Sequence, residues 1–563
     1  MSLLLAVQVR AEVSFSGLDE ALEQNARALM RLATAPCDAP EWRVRKLFRD
    51  ADAQLQDALE ALGHYRFSVD KRISFQDTEC WSAEFEVSLD EPVRVRDVAV
   101  NIAGDAKDDA DLAERTKLPA LVPGSVLNHG AYESYKKSLL SDLTTRGYFE
   151  AAFTESSVTV DTTLTHADID ILVESGPRYR FGDIRFTEGI LTPALLGAHA
   201  DFQSGDPYDA GAISRLHESL NGSGYFASVE IQAEPAAGPE KLVPVFVRLT
   251  PTRRRVFTVG AGYATDTGIQ GRLGYTNRRR NEQGHQFDAR LFLSQVDSEL
   301  TGTYRWPRGN PDAEWVDIYG GLLRKRTETS SSDKTTLGVR VARNRGKKWL
   351  ETPYLDFTGE DFKVGEQVDS SRLITPGIIW ETTIGRELGR VPAGHRLSLD
   401  LRGALDKLAS DTTFVQATAS GKWIATPLSA TRLLARVDLG ATVTEHLDEL
   451  PATVRFFTGG DTSVRGYDFE TIGPVDDDGN VTGGANLIVV SLEADWSVAR
   501  NWAIAAFVDS GSAFIDTDVD FKTGIGLGLR WYSPLGPIRV DIAHPLDDPD
   551  QDFRLHLTLG PDL

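Results

Sequence analysis

From Val256 to Leu563 the chain is built mainly from segments of about ten residues in which apolar and polar side chains alternate. Segment 395–406, HRLSLDLRGALD, shows the pattern most clearly. Its apolar face carries Leu397, Leu399, Leu401, Gly403 and Leu405, and its polar face carries Arg396, Ser398, Asp400, Arg402 and Asp406. A soluble sandwich also alternates, but its strands are usually shorter and its polar face is less evenly charged. The pattern therefore favours a transmembrane β-barrel with apolar side chains facing lipid.

The same period recurs often enough to count the strands of this barrel. Candidate strands lie near 256–265, 268–279, 285–295, 298–307, 315–328, 334–346, 349–364, 370–384, 395–406, 412–427, 431–443, 485–498, 501–514, 522–534, 536–546 and 553–563. The total is sixteen, and single-chain bacterial barrels have an even number of strands. We predict a 16-stranded antiparallel barrel over residues 252–563, interrupted by one long loop over residues 444–484.

The part of the chain before the barrel contains a repeat of about 80 residues. Each copy has a leucine, then a glycine four residues later, then an aromatic residue, and a helical pattern precedes the glycine. The members are Leu59/Gly63/Tyr65, Leu143/Gly147/Tyr148 and Leu220/Gly224/Tyr225. The glycine fits a helix C-cap, and an alternating strand follows it. We predict three tandem α+β modules over residues 9–90, 91–175 and 176–251.

Charge and composition exclude several classes of protein. The net charge of −23 and the pI near 4.9 argue against a nucleic-acid partner. There is no run of about 18 apolar residues, so no transmembrane helix is predicted. Residues 1–8 are interpreted as either a trimmed export signal or a wrongly assigned start.

The chemistry-bearing residues do not form an enzyme site. Serines between glycines lack the strand-to-helix elbow of a hydrolase nucleophile, and the ten histidines show no metal-ligand spacing. Cys37 and Cys80 are too few for a zinc site. If the chain is exported, they favour a disulfide over the alternative of two buried thiols. We predict no catalytic residue, no metal and no cofactor.

The segment FFTGGDTSVRGYDF, residues 456–469, interrupts the alternation and holds a single cation, Arg465. Together with SLEADW (491–496), AFVDSGSAF (506–514) and the last strands, it resembles the Omp85 superfamily. Its residues Val464, Arg465, Gly466 and Tyr467 match the loop-6 motif of that family. The three modules resemble POTRA domains, and their number points to the branch found in the translocation and assembly module.

The resemblance implies a role for the arginine. In the family, loop 6 folds into the barrel lumen and its arginine meets an acidic residue on the wall. The matching partners here are Asp509, with Glu493 as a second candidate. A partly desolvated guanidinium needs such a carboxylate. The alternative is a solvated arginine in an extracellular loop.

The resemblance also implies a function. Such proteins insert or translocate outer-membrane clients, notably autotransporters, through a lateral gate between the first and last strands. The gate residues expected here are Val256, Phe257, Thr258, Val259, Leu557, Leu559 and Gly560. An ordinary closed seam with a frayed terminus is the alternative.

Location and partners follow from the same resemblance. The barrel is expected as a monomer in the outer membrane, in contact with lipid and lipopolysaccharide. The POTRA modules are expected in the periplasm, where they would bind an inner-membrane subunit. Two other functions stay open. A two-partner-secretion translocator would normally have two POTRA modules, and a passive channel would show a large steady conductance.

Overall fold

The computed structural model describes residues 11–75, 80–113, 117, 120–187, 189–236, 238–309, 314–345, 349–385, 391–533, 536–548 and 553–559. Two of the sequence predictions, the leader over residues 1–8 and the gate residue Gly560, lie outside the described residues. Residues 186–201, 216–230 and 248–563 form one compact unit, which contains the barrel.

Three small sheets precede the barrel, one for each repeat. Their strands are β1 Glu12–Ser16, β2 Phe67–Ser74, β3 Ser82–Leu89, β4 Arg94–Ala103, β5 Ala152–Val160, β6 His166–Glu174, β7 Arg180–Phe186, β8 Phe226–Ala233 and β9 Leu242–Pro251. The strand orders are β1-β3-β2, β4-β6-β5 and β7-β9-β8. In each sheet the strand that comes last in the chain is central. In the first two sheets it pairs parallel with the first strand and antiparallel with the second.

Helices lie between the first and second strands of each sheet. They are α1 Glu20–Leu29, α2 Glu41–Glu60, α3 Ala110–Ala113, α4 His129–Thr145, α5 Pro193–Gly197 and α6 Ala210–Gly222. None of the helices in the described part of the chain is long and apolar enough to span a membrane. The repeat glycines Gly63, Gly147 and Gly224 follow α2, α4 and α6 with φ of +87°, +93° and +75°. These angles explain why glycine recurs there, because side-chain-bearing residues rarely adopt them.

The first module has its own apolar core and a covalent link. Helix α2 turns Val44, Ala51 and Leu55 into a core that also contains residues of the sheet. Cys37 and Cys80 form a disulfide, with their Cα atoms 4.9 Å apart. The bond joins the segment before α2 to the segment before β3.

The remaining strands form one 16-stranded antiparallel sheet, so the predicted fold class and strand number are confirmed. The strands are β10 Arg255–Ala264, β11 Gly268–Asn277, β12 Gln286–Leu293, β13 Asp297–Pro307, β14 Trp315–Arg326, β15 Ser330–Arg345, β16 Trp349–Val364, β17 Gln367–Ile384, β18 Gly394–Ala404, β19 Phe414–Leu428, β20 Thr431–Thr444, β21 Asn486–Ala499, β22 Trp502–Phe514, β23 Lys522–Ser533, β24 Gly536–Pro545 and β25 Arg554–Leu559. The sequence prediction extends the last strand to residue 563, and residues 560–563 lie outside the described residues.

The two faces of the sheet follow the sequence alternation. In β18, Leu399 and Leu401 are 42% and 43% exposed on the outer face. Asp400 points the other way and accepts a hydrogen bond from the Tyr354 hydroxyl at 2.9 Å. Apolar side chains therefore face outward and charged ones face the lumen, as a lipid-embedded barrel requires.

In the part of the chain that the structure describes, no continuous ladder closes the sheet. Its strand order starts at β10 and ends at β25, and the described residues include no backbone pairing between these two strands. We call the boundary between β10 and β25 the seam. Strand β25 has 6 described residues, Arg554–Leu559, and β10 has 10.

Candidate functional site

The long connection between β20 and β21, residues 445–485, is loop 6. Isolated backbone bridges join Phe456 to Gly484, Thr458 to Ile472 and Val475 to Val481. They fold the loop back on itself. Glycines supply the turns, since Gly459, Gly460 and Gly466 have φ near +104°.

The motif residues of loop 6 are buried. Val464 and Tyr467 are in an apolar cluster with Ile472 and Val489, a residue of the wall strand β21. Arg465 is 7% exposed. The loop therefore presses the motif against the barrel wall, and the arginine is not solvated.

Arg465 forms a bidentate ion pair with Asp509 of β22. Its Nε donates to Asp509 Oδ2 at 2.6 Å, and its Nη2 donates to Oδ1 at 3.0 Å. The backbone N–H of Arg465 also donates to Oδ2, at 3.2 Å. The guanidinium carbon lies 3.4 Å from the centroid of the Phe507 ring. This fork geometry is specific to arginine, because a lysine ammonium cannot present two parallel donors.

Further charges complete this contact. Arg465 Nη1 donates to Glu493 at 2.9 Å and to Asp541 at 3.1 Å. Arg530 bonds to both of these carboxylates, at 3.0 Å to Glu493 and 2.5 Å to Asp541. Two buried cations thus share two buried carboxylates and the half-buried Glu493, which offsets much of the cost of burying each charge. We call these five residues the lumen cluster.

The structure places both sequence-predicted partners, Asp509 and Glu493, against Arg465. Sequence reasoning missed Asp541 and Arg530. The alternation puts both on the inner face, Arg530 in β23 and Asp541 in β24. The alternation could have identified both as charged residues of the inner face. It does not indicate which inner-face residues contact one another.

A glycine of the wall allows the close approach of loop 6. A Cβ atom on Gly524 of β23 would lie 1.8 Å from the carbonyl oxygen of Arg465. No side chain fits at that distance. The main chain of loop 6 therefore rests directly on β23.

A second residue of loop 6, Asp461, connects the two sides of the seam. Its carboxylate accepts from the hydroxyl of Thr265, in the β10–β11 turn, at 2.8 Å. Its backbone N–H donates to Asp266 of the same turn at 2.5 Å. The same carboxylate bonds to Nδ1 of His556 in β25. We call Thr265, Asp266, Asp461 and His556 the seam latch.

Other bonds hold the last strand in this position. Nε2 of His556 accepts from the Gly466 N–H at 2.9 Å, so its proton is on Nδ1 and points to Asp461. The Leu557 N–H donates to the Thr265 hydroxyl at 3.2 Å. Arg554 and Asp468 form an ion pair. Among the described residues, side chains and loop 6 thus join β25 to the first hairpin.

The predicted gate residues lie on both sides of the seam. Among those of β10, Phe257 and Val259 are 74% and 79% exposed. Residues 256–259 pair with β11, and in the described part of the chain none of them pairs with β25. Leu557 contacts the first hairpin through its N–H, and Leu559 is 48% exposed.

Asp266, Asp461 and His556 form a candidate metal site. In the described part of the chain, these three residues bring potential metal-ligand atoms within 4.8 Å of one another. The hydrogen bonds argue against a metal centre here. The Gly466 N–H donates to Nε2 of His556, so the proton of the neutral ring is on Nδ1. A metal bound at Nδ1 would require either a doubly deprotonated imidazolate or the loss of the hydrogen bond from Gly466. We therefore treat the group as a hydrogen-bonded latch.

Two cavities flank the tip of loop 6 at Asp461 and Thr462. One, of about 240 Å³, lies over the lumen cluster and is lined by Arg436, Arg465 and Arg539 among others. The other, of about 330 Å³, lies behind the first hairpin and is lined by Gly260, Gly262 and Leu559 among others. Asp461 and Thr462 thus line both cavities.

A comparison with known families fits this arrangement. The family model of the Omp85 superfamily domain matches residues 255–562, and that of POTRA domain TamA domain 1 matches residues 12–89. The chain belongs to the Omp85 superfamily. As in other Omp85 proteins, its barrel lies in the outer membrane and its POTRA modules lie in the periplasm.

Curated relatives and solved structures agree with this membership. The chain is 23% identical over 387 residues to outer membrane protein assembly factor BamA of Nitratidesulfovibrio vulgaris, covering 61% of the chain and 46% of that protein. It is 24% identical over 551 residues to BamA of Neisseria meningitidis serogroup B, covering 84% and 68%. The crystal structure of Haemophilus ducreyi BamA lacking POTRA domains 1–3 superposes with a TM-score of 0.65 at 16% identity, covering 82% of this chain and 99% of that one.

Proposed function

We propose that this Omp85 protein is an outer-membrane assembly factor of the TamA type, which inserts or translocates client proteins such as autotransporters. The observation that carries the proposal is the seam. The described parts of β10 and β25 do not pair, and side chains and loop 6 hold them together instead. A barrel that served only as a pore would have no functional need for a seam without backbone pairing.

An unpaired strand offers backbone hydrogen-bonding groups to another chain. A client strand can add to such an edge by β-augmentation, with main-chain bonds supplying affinity and little demand on side-chain identity. The exposed Phe257 and Val259 give β10 an apolar face toward lipid. A client hairpin formed there would therefore already lie at membrane depth, and the step consumes no nucleotide.

Loop 6 acts in this proposal as the part that holds the seam. The lumen cluster fixes the loop to β21–β24 through Arg465, while Asp461 reaches across to the first hairpin and to His556. If the hydrogen bonds of Asp461 were broken, the first hairpin could separate from the last strand. The ion pairs of the lumen cluster would remain intact. The gate residues are then Val256, Phe257, Thr258 and Val259 on one side, and Leu557, Leu559 and Gly560 on the other.

The TamA assignment rests on the POTRA region. Its first module matches the TamA-specific family model, and three module sheets are present. The inner-membrane subunit TamB is the partner proposed for these modules. A two-partner-secretion translocator, the main alternative, is disfavoured by the third module.

The test is assembly of an unfolded autotransporter barrel in liposomes, followed by heat-resistant gel mobility. We expect the protein to accelerate folding and the Arg465→Ala and Asp509→Ala variants to lose the acceleration. No acceleration together with a large steady ion conductance would contradict the proposal. Adding TamB to an inactive preparation separates a missing partner from a wrong function.

A further inference from the structure

Six arginines are concentrated at the periplasmic end of the first barrel hairpin. They form two triplets, Arg253–Arg255 at the start of β10 and Arg278–Arg280 just after β11. The chain as a whole has a net charge of −23, so a cluster of six positive charges is unusual for its composition. We call the six residues the arginine foot.

The fold brings the two triplets side by side. Arg255 is paired with Asn277 in the β10–β11 ladder. The Arg278 N–H donates to the carbonyl of Arg254 at 2.9 Å, and Nη2 of Arg254 donates to the carbonyl of Arg280 at 2.9 Å. Like charges held this close repel one another, which destabilises the hairpin unless an anion is present.

The protein supplies little counter-charge to the arginine foot. Within the described residues, no carboxylate lies at ion-pair distance from any of the six. Nη1 of Arg279 is buried and has no hydrogen-bond partner among the described residues. Burial and the neighbouring Arg254 lower the pKa of Arg279, although Glu282 acts in the opposite direction. A buried guanidinium donor without a partner is costly and is satisfied by an anionic acceptor.

Aromatic rings place the arginine foot relative to the bilayer. The Phe257 and Tyr275 rings lie 5.1 Å apart and the Tyr275 and Phe287 rings 6.3 Å apart, forming a row across β10, β11 and β12. Aromatic rows mark the interface of a barrel with its membrane. Arg255 shares a strand face with Phe257 and lies two residues closer to the periplasm, about 7 Å along the strand. That is the level of lipid phosphates.

We propose that the arginine foot binds the phosphate of an anionic phospholipid from the periplasmic leaflet of the outer membrane. Guanidinium forks match phosphate oxygens in pairs, and the adjacent aromatic row offers apolar surface for the acyl chains. Free phosphate would use the forks but not the rings, so the geometry favours a lipid. The site lies at the base of β10 and does not depend on client assembly.

Native mass spectrometry of the full chain in neutral detergent tests the site directly. Phosphatidylglycerol, phosphatidylcholine and inorganic phosphate are titrated separately onto the wild type and onto Arg254→Gln/Arg279→Gln. We expect saturable phosphatidylglycerol binding that exceeds phosphatidylcholine binding. The variant should weaken it by about fivefold for each arginine removed. Heat-resistant gel mobility establishes that the variant is folded.

Two controls complete the design. Arg43→Gln/Arg49→Gln makes the same charge change on exposed positions of α2 and should leave binding unchanged. Arg254→Lys/Arg279→Lys keeps the charge but removes the forks, and should bind with intermediate strength. Equal binding of the two lipids, or equal loss in the α2 control, would overturn the proposal. Binding of inorganic phosphate as tight as that of phosphatidylglycerol would overturn the lipid assignment in favour of a free-anion site.

Discussion

Nε and Nη2 of Arg465 donate to the two carboxylate oxygens of Asp509, at 2.6 Å and 3.0 Å. This pair joins an extracellular loop to a barrel strand across 44 positions of sequence. Neither partner is solvated, since the side chains are 9% and 0% exposed. The stability of loop 6 should therefore depend on both groups.

Arg465→Ala should lower the stability of the barrel by about 3–5 kcal/mol, because it leaves buried carboxylates without their cation. Arg465→Lys should restore only part of the loss, since lysine lacks the fork. Heat-resistant gel mobility against temperature measures both. Arg324→Ala is the matched control: its pair with Asp333 is solvent-exposed and is worth less than about 1 kcal/mol. Equal effects of Arg465→Ala and Arg324→Ala would contradict the role of the lumen cluster.

Gly524→Ala should displace loop 6 although it changes no charge. The added Cβ would overlap the Arg465 carbonyl, whereas the same change at Gly359 of β16 meets nothing within 4 Å. We expect Gly524→Ala to make the loop accessible to an added protease and to reduce client assembly. Gly359→Ala should behave as wild type in both assays. A protected loop in Gly524→Ala would show that the close contact with β23 is not needed.

Asp461→Asn and His556→Gln should each loosen the seam, because each disrupts the bond between Asp461 of loop 6 and His556 of β25. Hydrogen exchange of the protein in nanodiscs should become faster in residues 255–264 and 554–559 and stay unchanged in β15 and β16. The effects of the two substitutions should not add in the double variant, since the Asp461–His556 bond is lost in each single variant.

The control for the latch is Glu470→Gln, which breaks the contact of loop 6 with Lys325 of β14, away from the seam. It should leave exchange at the seam unchanged. Faster seam exchange in this control would attribute the effect to general loosening of loop 6 rather than to Asp461.

Reduction of the Cys37–Cys80 bond should destabilise the first POTRA module by about 4 kcal/mol, as expected for loop-closure entropy over a separation of 43 residues. The barrel should keep its heat resistance. Calorimetry with and without reductant measures the first effect, and gel mobility the second. Loss of barrel heat resistance on reduction would mean that the module and the barrel unfold as one unit.

Much of the fold could be predicted because its signals are local. A two-residue period shows each strand without reference to any other, and the predicted 349–364 coincides with β16. The module glycines are similarly local, since each ends the helix just before it. Strand ends were less predictable, because they depend on turns and on the pairing partner.

The site was only partly predictable, because its contacts are distant in sequence. Arg465 and its wall carboxylates came from a family motif rather than from periodicity. The bond between Gly466 and His556 spans 90 positions, and the Leu557–Thr265 bond spans 292. No local pattern indicates that Asp461, rather than another loop aspartate, lies between the two sides of the seam. The same holds for Gly524, which stands in a strand with several glycines.

The most direct test of a lateral gate is to close it reversibly. The Thr265 hydroxyl lies 3.2 Å from the Leu557 nitrogen, so cysteines at 265 and 557 are within reach of a short bis-thiol crosslinker that reductant can cleave. Autotransporter folding in liposomes would be measured with Thr265→Cys/Leu557→Cys crosslinked and then reduced. The single-cysteine variants, treated identically, account for reduction of Cys37–Cys80. We predict that crosslinking abolishes the acceleration of folding and that reduction restores it. Undiminished acceleration with the seam fully crosslinked would contradict the account.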